Sequence, residues 1–162
     1  MDAFNVKKQE EMDFEMLSKL NDDVFHLDNL ERRVKKTEQD PIDASGKTND
    51  DKVINIEIKS RDCNIDTYKS LMIETHKALP LLDEYIEYDR IPLYVNFLKD
   101  EHVVVYNMLK IPEGKKFMKR EKTWSKLYRC WEWQYKEYIS IDAAFIYKKV
   151  NNQYKLIQKG WN

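Results

Sequence analysis

Residues 53–59 read Val-Ile-Asn-Ile-Glu-Ile-Lys, and their two faces are chemically unlike. Ile54, Ile56 and Ile58 form one face. Val53, Asn55, Glu57 and Lys59 form the other, because strand side chains alternate with a period of two. Upstream, residues 41–47 read Pro-Ile-Asp-Ala-Ser-Gly-Lys. Pairing the two segments as a hairpin, with 48–52 as its loop, sets Lys47 opposite Val53, Ser45 opposite Asn55 and Asp43 opposite Glu57. Ile42 and Ala44 then join the three isoleucines on the core side. A slip of one residue would send Asp43 into that apolar layer, so the hydrophobic pattern favours this register.

Opposed residues on one face of a sheet lie about 5 Å apart. Two ordinary carboxylates there are expected to be ionised at neutral pH, since both titrate near ~4. At an effective dielectric of about 20 their repulsion is roughly 3 kcal/mol. A divalent cation offsets that repulsion, and Mg²⁺ is commonly held by one or two carboxylates, waters and phosphate oxygens. Lys59, two residues beyond Glu57 on the same face, can reach the anion such a cation binds. In outline the set suits phosphodiester hydrolysis, with a metal-activated water and a lysine that neutralises charge on the phosphate. The plainer reading is an exposed Glu57–Lys59 charge pair on an amphipathic strand, and Glu-x-Lys alone is a weak signal.

The elements that must position these residues follow from periodicity. Residues 8–20 are expected to be helical, with Met12, Met16 and Leu20 on one face and Glu11 and Glu15 on another. Residues 32–38 and 41–45 are strand candidates. Asp66 is a candidate N-cap. Tyr68, Met72, Thr75, Leu79, Leu82 and Ile86 step by three or four and predict one helix face, with a kink or break near 79 because of Pro80. Residues 91–98 and 102–109 alternate as a hairpin. Residues 143–150 and 153–158 flank Asn151-Asn152, a pair that tolerates the left-handed backbone of a tight turn. The order is helix, strands, helix, strands, helix, hairpin, an α/β chain with a mixed or largely antiparallel sheet.

Composition sets bounds. The 162 residues suit one domain, and 42% hydrophobic content suffices for a core. A net charge of -1 gives no global attraction to nucleic acid or to an anionic membrane, so such a partner must be held by a local patch. No apolar run spans a bilayer and no signal-peptide pattern opens the chain, so a cytoplasmic location and no membrane partner are expected. Cys63 and Cys130 form no metal-binding pair and are expected to be free thiols. His26, His76 and His102 have no spacing that suggests a metal site or a nucleophile system. There is no Gly-rich phosphate loop, dinucleotide fingerprint or nucleophile motif. The richness in Lys, Asn, Ile and Asp suits an A/T-rich genome, such as that of a phage or low-GC bacterium.

Residues 41–43, Pro-Ile-Asp, followed by a turn, by Ile-Glu-Ile-Lys at 56–59 and by a helix, resemble the PD-(D/E)XK nuclease superfamily. The resemblance covers roughly 8–110. It implies a restriction-endonuclease-like core, a central mixed sheet flanked by helices, to which residues of about 110–162 would add a C-terminal helix and hairpin within one domain spanning 1–162. It implies Asp43 and Glu57 as metal ligands together with the backbone carbonyl of Ile58, Lys59 as the catalytic lysine, and Mg²⁺ or Mn²⁺ as cofactor. The insertion of Ile42 between Pro41 and Asp43 departs from the pattern, and Asp40, Asp50 and Asp51 are rivals for the acid's role. Some members place a further acid on the first helix, a role Glu11 or Glu15 could fill, although an exposed helix face accounts for both. Glu74 and Lys77, one turn apart, could line the cleft or pair with each other.

Residues 110–129 are strongly basic. Arg61, Lys115, Lys116, Lys119 and Arg120 are the candidate contacts to a phosphate backbone; a solvated helix face is the alternative. Trp124, Tyr128, Trp131, Tyr135 and Tyr138 recur every three or four residues and read as a helical stripe, either packed in a core or stacked on bases. The expected activity is therefore Mg²⁺-dependent hydrolysis of nucleic acid, DNA in preference to RNA, inside a bacterial or phage-infected cell. Many nucleases of this kind dimerise to cut both strands, so a homodimer is among the expectations. The alternative is a non-catalytic scaffold of the same fold that binds nucleic acid or a protein.

Overall fold

The computed structural model describes residues 3–33, 42–125 and 129–160. Among these, the strands form two sheets. The larger has the order β1-β2-β3-β5-β6-β9-β10: β1 Asp28–Arg32, β2 Ala44–Lys47, β3 Val53–Arg61, β5 Ile91–Leu98, β6 His102–Asn107, β9 Phe145–Val150 and β10 Gln153–Gln158. The smaller has the order β4-β8-β7: β4 Ser70–Glu74, β8 Cys130–Ser140 and β7 Lys116–Ser125. Helix α1 spans Ala3–Leu20 and continues into a π-helical turn over Asn21–Phe25. Helix α2 spans Thr75–Tyr88.

The large sheet is mixed. Its neighbours pair antiparallel except β3 and β5, which run parallel, with Glu57 beside Tyr94 and Lys59 beside Asn96. Parallel neighbours need a crossover, and β4 with α2 supplies it. Alternation along the strands builds a core on each face. Leu17 and Leu20 of α1 pack with Ala44, Ile54, Ile56, Ile58, Val95, Phe97, Val103 and Val105. On the other face Ala78 and Leu81 of α2, Leu71 and Ile73 of β4 and Ile139 of β8 pack with Tyr94, Val104 and Tyr106. The central mixed sheet flanked by helices is thus as expected.

The hairpins were legible. Lys47 stands opposite Val53 and Ser45 opposite Asn55, as the hydrophobic pattern required. β5 and β6 pair as expected. Asn151 and Asn152 both take positive φ, 51° and 60°, and join β9 to β10 in a two-residue loop.

Other expectations need correction. Ile42 does not join the three isoleucines; it packs in the α2-side core. The segment after the motif is not one helix from Asp66. Residues 70–74 form β4, where buried Leu71 and Ile73 alternate with Ser70, Met72 and Glu74. The helix begins only at Thr75, continues through Pro80, and buries Ala78 and Leu81, while Leu79 and Ile86 face solvent. Lys116–Ser125 and Cys130–Ser140 are not helical but the paired strands β7 and β8, so the C-terminal helix of the expected architecture is absent among the described residues. Residues 34–38 of the first strand candidate lie outside the described residues, as do Asp40, Pro41 and Tyr128; the observed β1 ends at Arg32.

No helix among the described residues is long and apolar enough to cross a membrane. Cys63, half-buried, and Cys130, exposed, are free thiols.

Candidate functional site

Asp43 stands where the β2–β3 ladder ends. Its backbone N–H donates to the Ile56 carbonyl at 2.9 Å, and its Oδ2 accepts the Ile58 N–H at 2.8 Å. These two bonds hold the Asp43 side chain beside Glu57, which follows Ile56 on the polar face of β3. A strand residue turns its N–H and C=O toward the same neighbour. The Ile58 carbonyl therefore points to the edge on which Asp43 lies.

Glu57 is 1% exposed. Its Oε1 accepts a hydrogen bond from Lys77 Nζ at 2.5 Å, while its Oε2 is buried and has no hydrogen-bond partner. Burial pushes the Glu57 carboxyl up to about 8; the Asp43 carboxylate adds to the rise and the Lys77 ammonium opposes it. Glu57 thus carries a proton at neutral pH, correcting the expectation that both acids are ionised there. The cause is desolvation, which penalises the charged form more than the neighbouring charge does.

Lys77 comes from the first turn of α2, and the ion pair it forms is with Glu57 rather than with Glu74. Two turns later, Glu84 takes a long hydrogen bond from Asn55 Nδ2, 3.5 Å, and ion pairs from Arg33 and Arg90. Ser45 Oγ donates to Asn55 Oδ1 at 2.8 Å. Positions 77, 81 and 84 share one helix face, so α2 is pinned over β3 at two points with Leu81 between them. Lys77 stands above Glu57 and Glu84 above Asn55, so the helix runs antiparallel to the strand. No periodicity argument could find this, because Lys77 and Glu57 meet only through the crossover.

Lys59 lies on the Glu57 face, is exposed, and has no ion-pair partner among the described residues. Arg61 is not turned to solvent as a phosphate contact requires. Its Nε donates to Asn96 Oδ1 at 2.7 Å, and its Nη2 donates to Tyr94 Oη at 2.6 Å and to the Met72 carbonyl. It ties β4 to the large sheet. Glu74 is the extended residue that precedes α2 and is half-buried beside Lys136 of β8. Glu11 and Glu15 are exposed on α1, whose buried residues pack on the opposite face of the sheet. No hydrogen bond joins either to Glu57.

The basic residues lie on or beside β7. Lys115 pairs with Asp142 at 2.5 Å, Lys116 with Glu137 at 3.9 Å and Lys119 with Glu121 at 2.7 Å. The Arg120 guanidinium lies 5.3 Å from the Trp133 ring and 5.9 Å from the Tyr135 ring.

Could a divalent cation fit? Among the described residues no group of three His, Cys, Asp or Glu side chains forms a metal cluster. The donors on hand are two carboxylates and a backbone carbonyl. That set suits Mg²⁺, which keeps several waters and takes few protein oxygens. The buried Oε2 of Glu57 receives no hydrogen bond from a donor group, and the Asp43 carboxyl lies close enough to share a proton with Glu57, so this is where a cation would replace that proton.

No protein-family model and no curated protein matches the chain. Among solved structures the chain is similar to Hjc, a Holliday junction resolvase from Archaeoglobus fulgidus, an archaeal hyperthermophile. That comparison has a TM-score of 0.47 and 13% identity, covering 79% of this chain and 82% of that one.

Proposed function

We propose that the protein is a Mg²⁺-dependent nuclease acting on DNA, with Asp43, Glu57 and the Ile58 carbonyl as metal ligands and Lys59 as the catalytic lysine. The observation that carries this reading is the buried Glu57 carboxyl, with one oxygen on Lys77 and the other given no donor, held beside Asp43 on a β hairpin. When bound there, the metal would polarise a phosphoryl oxygen and lower the pKa of a coordinated water.

The chain's own residues do the rest. Asp43 is aimed by the Ile58 N–H, so its second oxygen is directed independently of any ligand. Lys77 fixes the rotamer of Glu57 and lowers the energy of its charged form. Lys59 places a mobile ammonium where a phosphate would accumulate negative charge. Glu57 must lose its proton before it can ligate, so cation binding releases a proton and strengthens as pH rises toward 8 and beyond.

A second reading rests on the same ion pair. With Lys77 on Oε1 and a proton on Oε2, the two acids stand together at neutral pH without a metal. A non-catalytic scaffold could keep them for that reason.

Calorimetry with Mg²⁺ or Mn²⁺, run beside a plasmid-nicking assay on the same samples, separates the two. Metal binding and nicking that vanish together in Asp43→Ala/Glu57→Ala support the nuclease. Nicking that persists in Glu57→Ala removes this site assignment. Wild type that neither binds metal nor nicks, with DNA present or absent, leaves the scaffold. Lys59→Met should abolish nicking while the melting temperature stays unchanged, since this ammonium supports nothing in the fold.

A further inference from the structure

The β7–β8 hairpin inverts the usual arrangement of a strand pair. Along β8 its apolar rings point to solvent and the polar side chains between them are the more sheltered. Register assigns the faces. One carries Trp131, Trp133 and Tyr135 of β8, with Trp124, Lys122 and Arg120 directly opposite them on β7. The other carries Glu132 and Gln134, opposite Thr123 and Glu121.

Trp131, Trp133 and Tyr135 are 60%, 59% and 54% exposed, whereas Glu132 and Gln134 are only partly so. The exposed charges on the aromatic face are the cations Lys116, Arg120 and Lys122, while the other face carries both signs, Lys119 and Lys136 beside Glu121 and Glu132. Glu137, which shares the aromatic face, is buried at its base and paired with Lys116.

At its base this face covers the core through Leu71, Ile73 and Ile139. It becomes bare where β4 ends at Glu74 and hands over to α2, whose first turn carries Lys77. The ribbon therefore leaves the body at the end of β4 that leads into α2.

We propose that this face is a stacking platform for the unpaired bases of a DNA strand, so that the substrate of the carboxylate site includes a single-stranded segment. The proposal rests on the nuclease reading for its functional meaning, but not for its binding. Rings two residues apart on a strand advance by about 6.6 Å, twice the roughly 3.4 Å step of a stacked strand. That spacing suits bases already drawn out of their stack, not the closed edges of a duplex. Arg120, held over Trp133 and Tyr135, adds a cation beside the rings where a phosphate would pass. Lys116, Arg120 and Lys122 oppose burial of this face against a second copy of itself.

The test uses the full chain in EDTA, where cleavage is suppressed. Fluorescence anisotropy would follow a fluorescein-labelled mixed-sequence DNA strand, an abasic strand of the same length, and the blunt duplex. Stacking is worth enough per base that the normal strand should bind about tenfold or more tighter than the abasic strand and the duplex, and quench tryptophan emission. Trp131→Ala/Trp133→Ala should remove that preference, and Trp131→Phe/Trp133→Phe should restore most of it.

Equal binding of normal and abasic strands overturns the proposal in favour of charge alone. Concentration-dependent self-association of the wild type, lost in the double alanine variant, overturns it in favour of a second copy. A stacking preference in a protein that never nicks DNA with Mg²⁺ upholds this inference and defeats the nuclease reading.

Discussion

The carboxylate face of β3 and the aromatic face of the β7–β8 ribbon use one backbone geometry under opposite solvation. On β3, one acid, Glu57, is buried where a sheet ordinarily keeps an apolar residue. On the ribbon, rings are exposed where a sheet ordinarily keeps polar ones. Each inversion is held in place by its other face: Ile54, Ile56 and Ile58 anchor β3 in the α1-side core, and Lys136, Tyr138 and Glu121 knit the polar side of the ribbon together. The difference lies in what solvent does to each. Burial makes Glu57 a group of altered chemistry, raised to about 8. Exposure leaves the rings chemically ordinary and available as surface. On the proposed reading, the first region changes a bond and the second only chooses what comes near.

The largest effect should separate these roles. In a nicking assay with Mg²⁺, Glu57→Gln and Asp43→Asn should each lower turnover by on the order of 10²–10³ or more, with binding of a single strand in EDTA intact. Trp131→Ala/Trp133→Ala should act on apparent affinity for substrate. A ribbon variant that destroys turnover at saturating DNA would break the division, because the rings would then be taking part in the chemistry.

The next effect concerns pH, and its sign is set by the raised Glu57 carboxyl. Its ordinary value is 4.5 and its folded value about 8. Between these the native state holds a proton that the unfolded chain has lost. Stability from this group is therefore fully present below about 4.5 and is lost as pH rises through 8. The span is on the order of 5 kcal/mol at 1.36 kcal/mol per unit. Urea unfolding of metal-free protein at pH 5, 7 and 9 should show a decline that Glu57→Gln flattens. Saturating Mg²⁺ should reverse the slope in the wild type, since a bound cation stabilises the charged form. A wild-type slope already flat without metal would mean that Lys77 carries the charge of Glu57 unaided.

Ile139→Ala sharpens the comparison at the point where the regions join. Ile139 is fully buried and belongs to the core that covers the carboxylate face, although it sits on the ribbon's strand. Its truncation should cost about 2–5 kcal/mol, read as a fall of the melting temperature by roughly 5–15 °C for a chain of this size. If the melting temperature holds, the base of the ribbon is not packed as part of the body.

How far each region was legible follows from the same contrast. On β3, one apolar face confined the register, so the positions of Asp43 and Glu57 followed from Ile54, Ile56 and Ile58 alone. What could not be read there was Lys77, because its ion pair depends on a crossover that brings residue 77 back over residue 57. β4 was hidden for a related reason: Leu71 and Ile73 alternate for only five residues before α2 begins, too short a run to displace the helical spacing of Tyr68, Met72 and Thr75. On the ribbon, burial alternates the wrong way round, with polar side chains the more sheltered and rings exposed, so hydrophobicity does not report the strand period. Aromatics at 124, 128, 131, 135 and 138 then mimic a helical stripe, while the period of two in 131, 133 and 135 passes unnoticed. Periodicity reports which face is hidden from water, and it misleads where that face is the polar one.

The smallest effect is the sharpest test of that last point. If the rings at 131 and 133 are exposed surface with no structural duty, removing them changes stability little. Trp131→Ala/Trp133→Ala should unfold within about 0.5 kcal/mol of wild type, as surface substitutions do, with an unchanged urea slope. The Trp131 ring meets Trp124 edge-on at 5.8 Å, and an exposed aromatic pair of that kind is worth about 1 kcal/mol at most when fully formed. A loss well above that figure would mean that the rings are packed against something in the folded protein. The ribbon would then be an internal element like β4, and the contrast with the carboxylate face would collapse.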